Sequence, residues 1–77
     1  MSYIEILKKP DVKNNLRVER AISNLTQEEL AKKISVSRQT INAIESGKYV
    51  PSTVLALKIA NVFGKHVEDI FMLEKKD

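Results

Sequence analysis

The chain contains no cysteine, which excludes disulfide bonds, thiolate metal sites and cysteine nucleophiles together and fits an intracellular setting. Proline and glycine are scarce, two of each in 77 residues, and all four stand where helices would begin or end. So few breakers predict a high helical content. Gly47 and Gly64 stand alone, so there is no glycine-rich loop to cradle a phosphate. The single histidine, His66, has no Ser, Cys or acidic partner in a catalytic arrangement, and one His is too few for most metal sites. Neither an enzyme nor a metal or other cofactor is expected. No apolar run approaches the roughly 20 residues of a membrane span, and residues 1–10 lack the basic start and apolar stretch of a signal peptide. These absences predict a soluble, cytoplasmic protein with no membrane partner.

The hydrophobic share of 43% is that of one small packed domain. A chain of this size sits near the lower limit for a self-sufficient core, so a dimer partner would add stability. Net charge is only +3, from thirteen Lys and Arg against ten Asp and Glu, a weak argument for a polyanionic partner. Its distribution is more informative. Residues 1–24 hold five basic and three acidic groups, residues 25–53 four and three, and residues 54–77 four and four. Any surface facing a polyanion should therefore lie in the first two thirds.

Periodicity predicts helices over about residues 12–23, 27–34, 38–46, 53–63 and 67–71. The second opens with Thr26 as N-cap and Glu29 three residues on, a capping box that satisfies otherwise orphaned backbone donors. Leu30, Ala31 and Ile34 follow on one face. Ser35, Val36 and Ser37 form a turn, and Ser37 caps a third helix whose buried face is Ile41 and Ile44. Gly47 stops that helix, as suits a left-handed C-terminal position. A turn this brief can only cross the two helices, and crossed helices of this kind place the second in the major groove of DNA. Ser52 caps the fourth helix and Gly64 ends it; Val54, Leu57, Ile59 or Ala60, and Phe63 form an apolar stripe expected to face the other helices. Tyr3, Ile4, Ile6 and Leu7 read as a short strand or a helical turn, as do Phe71, Met72 and Leu73. Two such tips pair with one another, pair with a second subunit, or fray. The layout is an N-terminal extension over 1–10, a domain over 11–73 and a charged tail over 74–77.

With TQEELA followed by SRQTINAIESGKYVPS, and with Leu30, Ile34, Val36, Ile41 and Ile44 at the inward sites around Ala31, the chain resembles the phage-repressor and Cro helix-turn-helix regulators, the Xre family. It is most similar to their short stand-alone members, over about residues 14–71. The resemblance implies an all-α, five-helix, lambda-repressor-like DNA-binding domain. It further implies a transcriptional regulator, in particular a repressor bound to an inverted-repeat operator as a homodimer through the helix at 38–46. The chain departs from the family pattern at Ser35 and Asn24, where relatives usually have Gly, and at Glu19, where they often have an apolar residue.

Under this resemblance the base-reading residues are Arg38, Gln39 and Asn42, with Ser37, Thr40 and Ala43 close by. Arg38 can fork onto guanine, Gln39 can pair with adenine, and Ala43 or the Thr40 methyl can touch a thymine methyl. Outside the motif the same side chains would read as a solvated helix face. Phosphate contacts fall to Thr26, Gln27, Lys48 and Ser52, with Lys13 and Arg17 as weaker candidates. The resemblance also implies a partly buried salt bridge between Arg20 and Glu45. Val67, Ile70, Phe71 and Leu73 form the dimer interface together with residues 3–7, or else belong to the core. Two other readings stay open: an antitoxin that binds a second protein as well as its operator, and an interaction module that keeps the fold but reads no bases.

Overall fold

The computed structural model describes residues 12–74. They run in the order β1 (Val12–Asn14), α1 (Leu16–Ile22), α2 (Gln27–Lys33), α3 (Arg38–Glu45), α4 (Thr53–Phe63), α5 (Val67–Ile70) and β2 (Phe71–Leu73). Three helix starts are written in hydroxyl side chains. Thr26 Oγ1 accepts from the Glu29 N–H at 3.0 Å while Glu29 Oε1 accepts from the Thr26 N–H at 2.9 Å, closing the capping box of α2. Ser37 and Ser52 each accept the N–H three residues on, at 3.2 Å, and so open α3 and α4.

Helices α1 to α4 share one way of stopping. After each, two N–H groups turn back onto its last carbonyls, in the Schellman pattern: Asn24 to Ala21 with Leu25 to Arg20, Ser35 to Lys32 with Val36 to Ala31, Gly47 to Ile44 with Lys48 to Ala43, and Gly64 to Asn61 with Lys65 to Ala60. The pattern requires a left-handed residue, and Asn24, Ser35, Gly47 and Gly64 supply it with φ of 57°, 60°, 79° and 63°. A Cβ at Gly47 or Gly64 would meet nothing within 4 Å, so glycine is favoured there by backbone conformation and not by space.

The helices meet in one core. Its largest fully enclosed side chains are Leu16, Leu30, Ile41, Ile44, Ile59 and Ile70, so all five helices contribute. Each such aliphatic side chain is worth about 1.5–3 kcal/mol relative to exposure. Ala31 is buried on the inner face of α2 as part of the same core, where a larger residue would overpack it. Asn14 stitches the domain's opening to the recognition motif: its Nδ2 donates to the Ile44 carbonyl at 2.9 Å, and its Oδ1 accepts from the Leu16 N–H at 3.1 Å.

Two expectations are corrected. Residues 12–14 are not the first turn of a helix but a strand antiparallel to β2, in the register Val12 with Leu73, Lys13 with Met72 and Asn14 with Phe71. The backbone groups of the apolar end thus find their partners just before α1. Residues 3–7, one of the partners expected for that end beside a second subunit, lie outside the described residues, as do the rest of the extension at 1–10 and residues 75–77 of the tail. The second correction is the phase of α4. Val54 and Leu57 do not face the core; they are 64% and 55% exposed, and Leu55 and Ala56 are buried in their place, beside Ile59 and Ala60, which are buried as expected, and Phe63, which packs against the core.

Candidate nucleic-acid interface

The caps of α2 and α3 aim both helix starts toward one side, and Arg38 joins them. It lines one shallow depression with Gln39 and Asn42 and another with Arg20, Thr26, Gln27 and Glu28. Arg38, Gln39 and Asn42 are exposed side by side, while Ile41 and Ile44 on the opposite face of α3 hold the helix in the core. Thr40 is half-buried, and its hydroxyl lies 2.9 Å from that of Ser37. That contact and the cap bond commit the Ser37 hydroxyl to shaping the helix start. Ala43 is half-buried on the same side.

Beneath this surface lies a buried carboxylate. The Glu45 side chain is 1% exposed. Arg20 grips it twice, Nε to Oε2 at 2.7 Å and Nη2 to Oε1 at 3.2 Å, and Arg20 Nη1 also donates to the Leu25 carbonyl at 2.8 Å. The pair implied by the family resemblance is therefore formed, and it also braces the chain between α1 and α2. Gln27 Nε2 donates to Glu45 Oε1 at 3.1 Å, and Arg17 Nε lies 3.7 Å from the same oxygen. Burial alone pushes the Glu45 carboxyl up, but hydrogen bonds from Arg20 and Gln27 and the charges of Arg20 and Arg17 outweigh it and hold the group below the usual carboxylate range. The bond to Glu45 raises Arg20 in turn. Glu29 is also held low, first by the Thr26 backbone N–H.

Gln27 is placed differently from its sequence-based role. Its amide nitrogen also donates to Asn42 Oδ1 at 3.3 Å, so both amide hydrogens are used within the protein. Thr26 and Ser52 are exposed cap residues, and Lys48 is exposed just beyond Gly47. Of the apolar set at the C-terminal end, Leu73 is exposed and Val67 and Phe71 are half-buried, but Ile70 is fully enclosed and takes the core role. Sequence reasoning missed an exposed apolar surface beside them. Val50 and Leu57 are exposed there, and with Val12, Val67 and Phe71 they line an open groove of ≈ 350 Å³. It also missed the Glu19–Lys65 pair, Oε2 to Nζ at 2.8 Å, for which nothing near either residue signals a partner 46 positions away.

Comparisons with known proteins agree with this geometry. A helix-turn-helix family model matches residues 16–70. An uncharacterised HTH-type transcriptional regulator of Methanocaldococcus jannaschii is 64% identical over 63 residues, 82% of this chain and 96% of that protein. YgzD, an HTH-type transcriptional regulator of Bacillus subtilis, is 46% identical over 66 residues, 86% of this chain and 100% of its own length. Among solved structures, the SOS-response transcriptional repressor LexA from Eubacterium rectale aligns with a TM-score of 0.69 at 35% identity, over 80% of this chain and 64% of that one. The clp gene regulator ClgR from Corynebacterium glutamicum aligns at 0.66 and 31% identity, over 70% of this chain and 57% of that one.

Proposed function

Because the chain belongs to the Xre-type helix-turn-helix family of DNA-binding transcriptional regulators, we propose that it acts as a cytoplasmic repressor, binding an inverted-repeat operator as a homodimer with α3 in the major groove. The observation that carries this reading is the division of α3 into two faces, one anchored by Ile41 and Ile44 and the other presenting Arg38, Gln39 and Asn42 together. Those three read base edges, with Thr40, Ala43 and Ser37 shaping the contact. Thr26, Lys48, Ser52 and the Gln27 backbone hold phosphates and set the register. The open apolar groove that Leu57, Val67 and Phe71 share, with Leu73 exposed at the end of β2, supports self-association; two such copies would read half-sites about 34–36 Å apart.

The test is selection from a random duplex library with the wild type beside the Arg38→Ala, Gln39→Ala double variant at fixed salt. An inverted repeat that enriches with the wild type and vanishes with the variant is the expected result. Affinity for that site should fall with salt at a log-log slope of about −0.9 per phosphate neutralised. Absence of enrichment, with no salt-dependent affinity, would leave an interaction module on the same fold. A second protein retained through purification would instead indicate an antitoxin.

A further inference from the structure

Eleven residues precede the described part of the chain, and they end at the apolar groove. Val12, the first described residue, lines that groove with Val50, Leu57, Val67 and Phe71, and Thr53 is the one polar residue among those described around it. Its ≈ 350 Å³ falls within the range of about 300–1,000 Å³ in which pockets take largely apolar ligands. Of the five residues from Tyr3 to Leu7, four are apolar, and residues 8–11 alone separate them from Val12. Covalent geometry holds Leu7 within about 18 Å of Val12. Pro10 followed by Asp11 is a turn signal, favouring a reversal of the chain just before β1.

We propose that residues 3–7 occupy this groove in the same chain, and so compete with a second copy for the surface through which the protein self-associates. The inference rests on the self-association proposed above and adds what controls it. An apolar groove beside the terminal strands suits either the chain's own apolar segment or the matching face of another molecule. The tether decides between them. A segment joined through four residues is present at an effective concentration of about millimolar, whereas a second copy is present only at the concentration of the protein. Docking of the segment also covers Leu57, 55% exposed, within one molecule. A second copy gains the groove only when the segment leaves it, so association is weakened according to the fraction of molecules whose groove is open. Dimer formation, and with it the reading of two half-sites, is then set by residues 3–7, which lie outside the stretch 16–70 that the family model matches.

Because the chain has no cysteine, an introduced pair reports contact without background. The full-length Ile6→Cys, Leu57→Cys variant is oxidised in dilute solution beside Ile6→Cys, Ile22→Cys, whose second site is exposed on α1 and lies outside the groove. A disulfide within one chain, forming at least about tenfold faster in the first variant, is the expected result. Equal rates, or a bond only between chains, overturn the proposal. The second measurement is the dimer dissociation constant of the wild type and of Ile4→Ser, Ile6→Ser, by sedimentation equilibrium. Loss of the two apolar side chains opens the groove and should tighten association by about tenfold, the factor for a groove closed in about nine-tenths of the molecules. Unaltered association overturns the proposal, and so does weaker association, since the segment would then belong to the interface between copies. If both proteins stay monomeric throughout, self-association through the groove fails and the competition with it, while the bond within one chain still decides the docking.

Discussion

The domain buries two carboxylates, Glu45 and Glu19, and supports them very differently. Glu45 receives two bonds from Arg20 and one from Gln27 and lies where α1, α2 and α3 converge. Glu19 is nearly as enclosed, at 7% side-chain exposure, yet among the described residues the cation paired with it is Lys65, itself 43% exposed. The contrast shows that burial alone does not make an ion pair structural. Arginine's planar fork satisfies both oxygens of Glu45 at once and reaches the Leu25 carbonyl as well, whereas lysine brings a point charge that water can replace.

The largest effect is expected at Glu45. Glu45→Ala leaves Arg20 without its partner and should cost about 3–5 kcal/mol, lowering Tm by roughly 10 °C or more. Arg38→Ala, on the exposed face, should leave Tm within about 2 °C while abolishing operator binding. Equal melting temperatures for the two variants would remove Glu45 from its central place in the fold.

A change of pH probes the same pair reversibly. The folded-state pKa of Glu45 is depressed, so its contribution is fully present above the unfolded value of about 4.3 and is lost as pH falls through the lower folded value. Glu29, held low by its cap bonds, titrates in the same direction. Stability followed by denaturant titration should fall on acidification from about pH 5 to pH 3. In Glu45→Gln that fall should be shallower.

Lys65→Met should have a smaller effect, about 1–2 kcal/mol, because Glu19 is left buried but water can reach the vacated side. Adding Glu19→Leu should restore the loss, since an apolar pair in place of a buried ion pair is often neutral or stabilising. A double variant less stable than Lys65→Met alone would place Glu19 beside Glu45 as a structural group.

The smallest effect is expected in the turn. Ser35 performs with a Cβ what Gly47 and Gly64 perform without one. Relief of left-handed strain in Ser35→Gly is partly offset by the added freedom of the unfolded chain, leaving a gain of about 0.5–1 kcal/mol by thermal melting. Gly64→Ala should go the other way, by about 1 kcal/mol, from conformation alone.

Much of the candidate interface was legible because its signals are local. Thr26 with Glu29, Ser37, Ser52, Gly47 and Gly64 act on backbone groups within five residues of themselves, and they placed α2, α3 and α4 to within a residue at each end. The first predicted helix failed at 12–14 because the strand there has a partner at 71–73, which helical periodicity cannot register. The phase of α4 failed for a different reason: Lys58 and Asn61 stand one helical turn after Val54 and Leu57 and mark that face as the outer one, a signal that an expectation built on the apolar residues alone does not use.

By itself, then, the sequence determined the two crossed helices, their caps, the core residues of the motif and the polar set of Arg38, Gln39 and Asn42, because each depends on neighbours within one or two turns. Only the tertiary structure decided that Lys65 answers Glu19, that Asn14 ties the start of the domain to the end of α3, and that Gln27 turns its amide onto Glu45 and Asn42. Those bonds join residues 46, 30, 18 and 15 positions apart. Their partners are chosen by how the helices pack, and a hydrogen-bonding side chain carries no mark of which distant group will be brought within 3 Å of it.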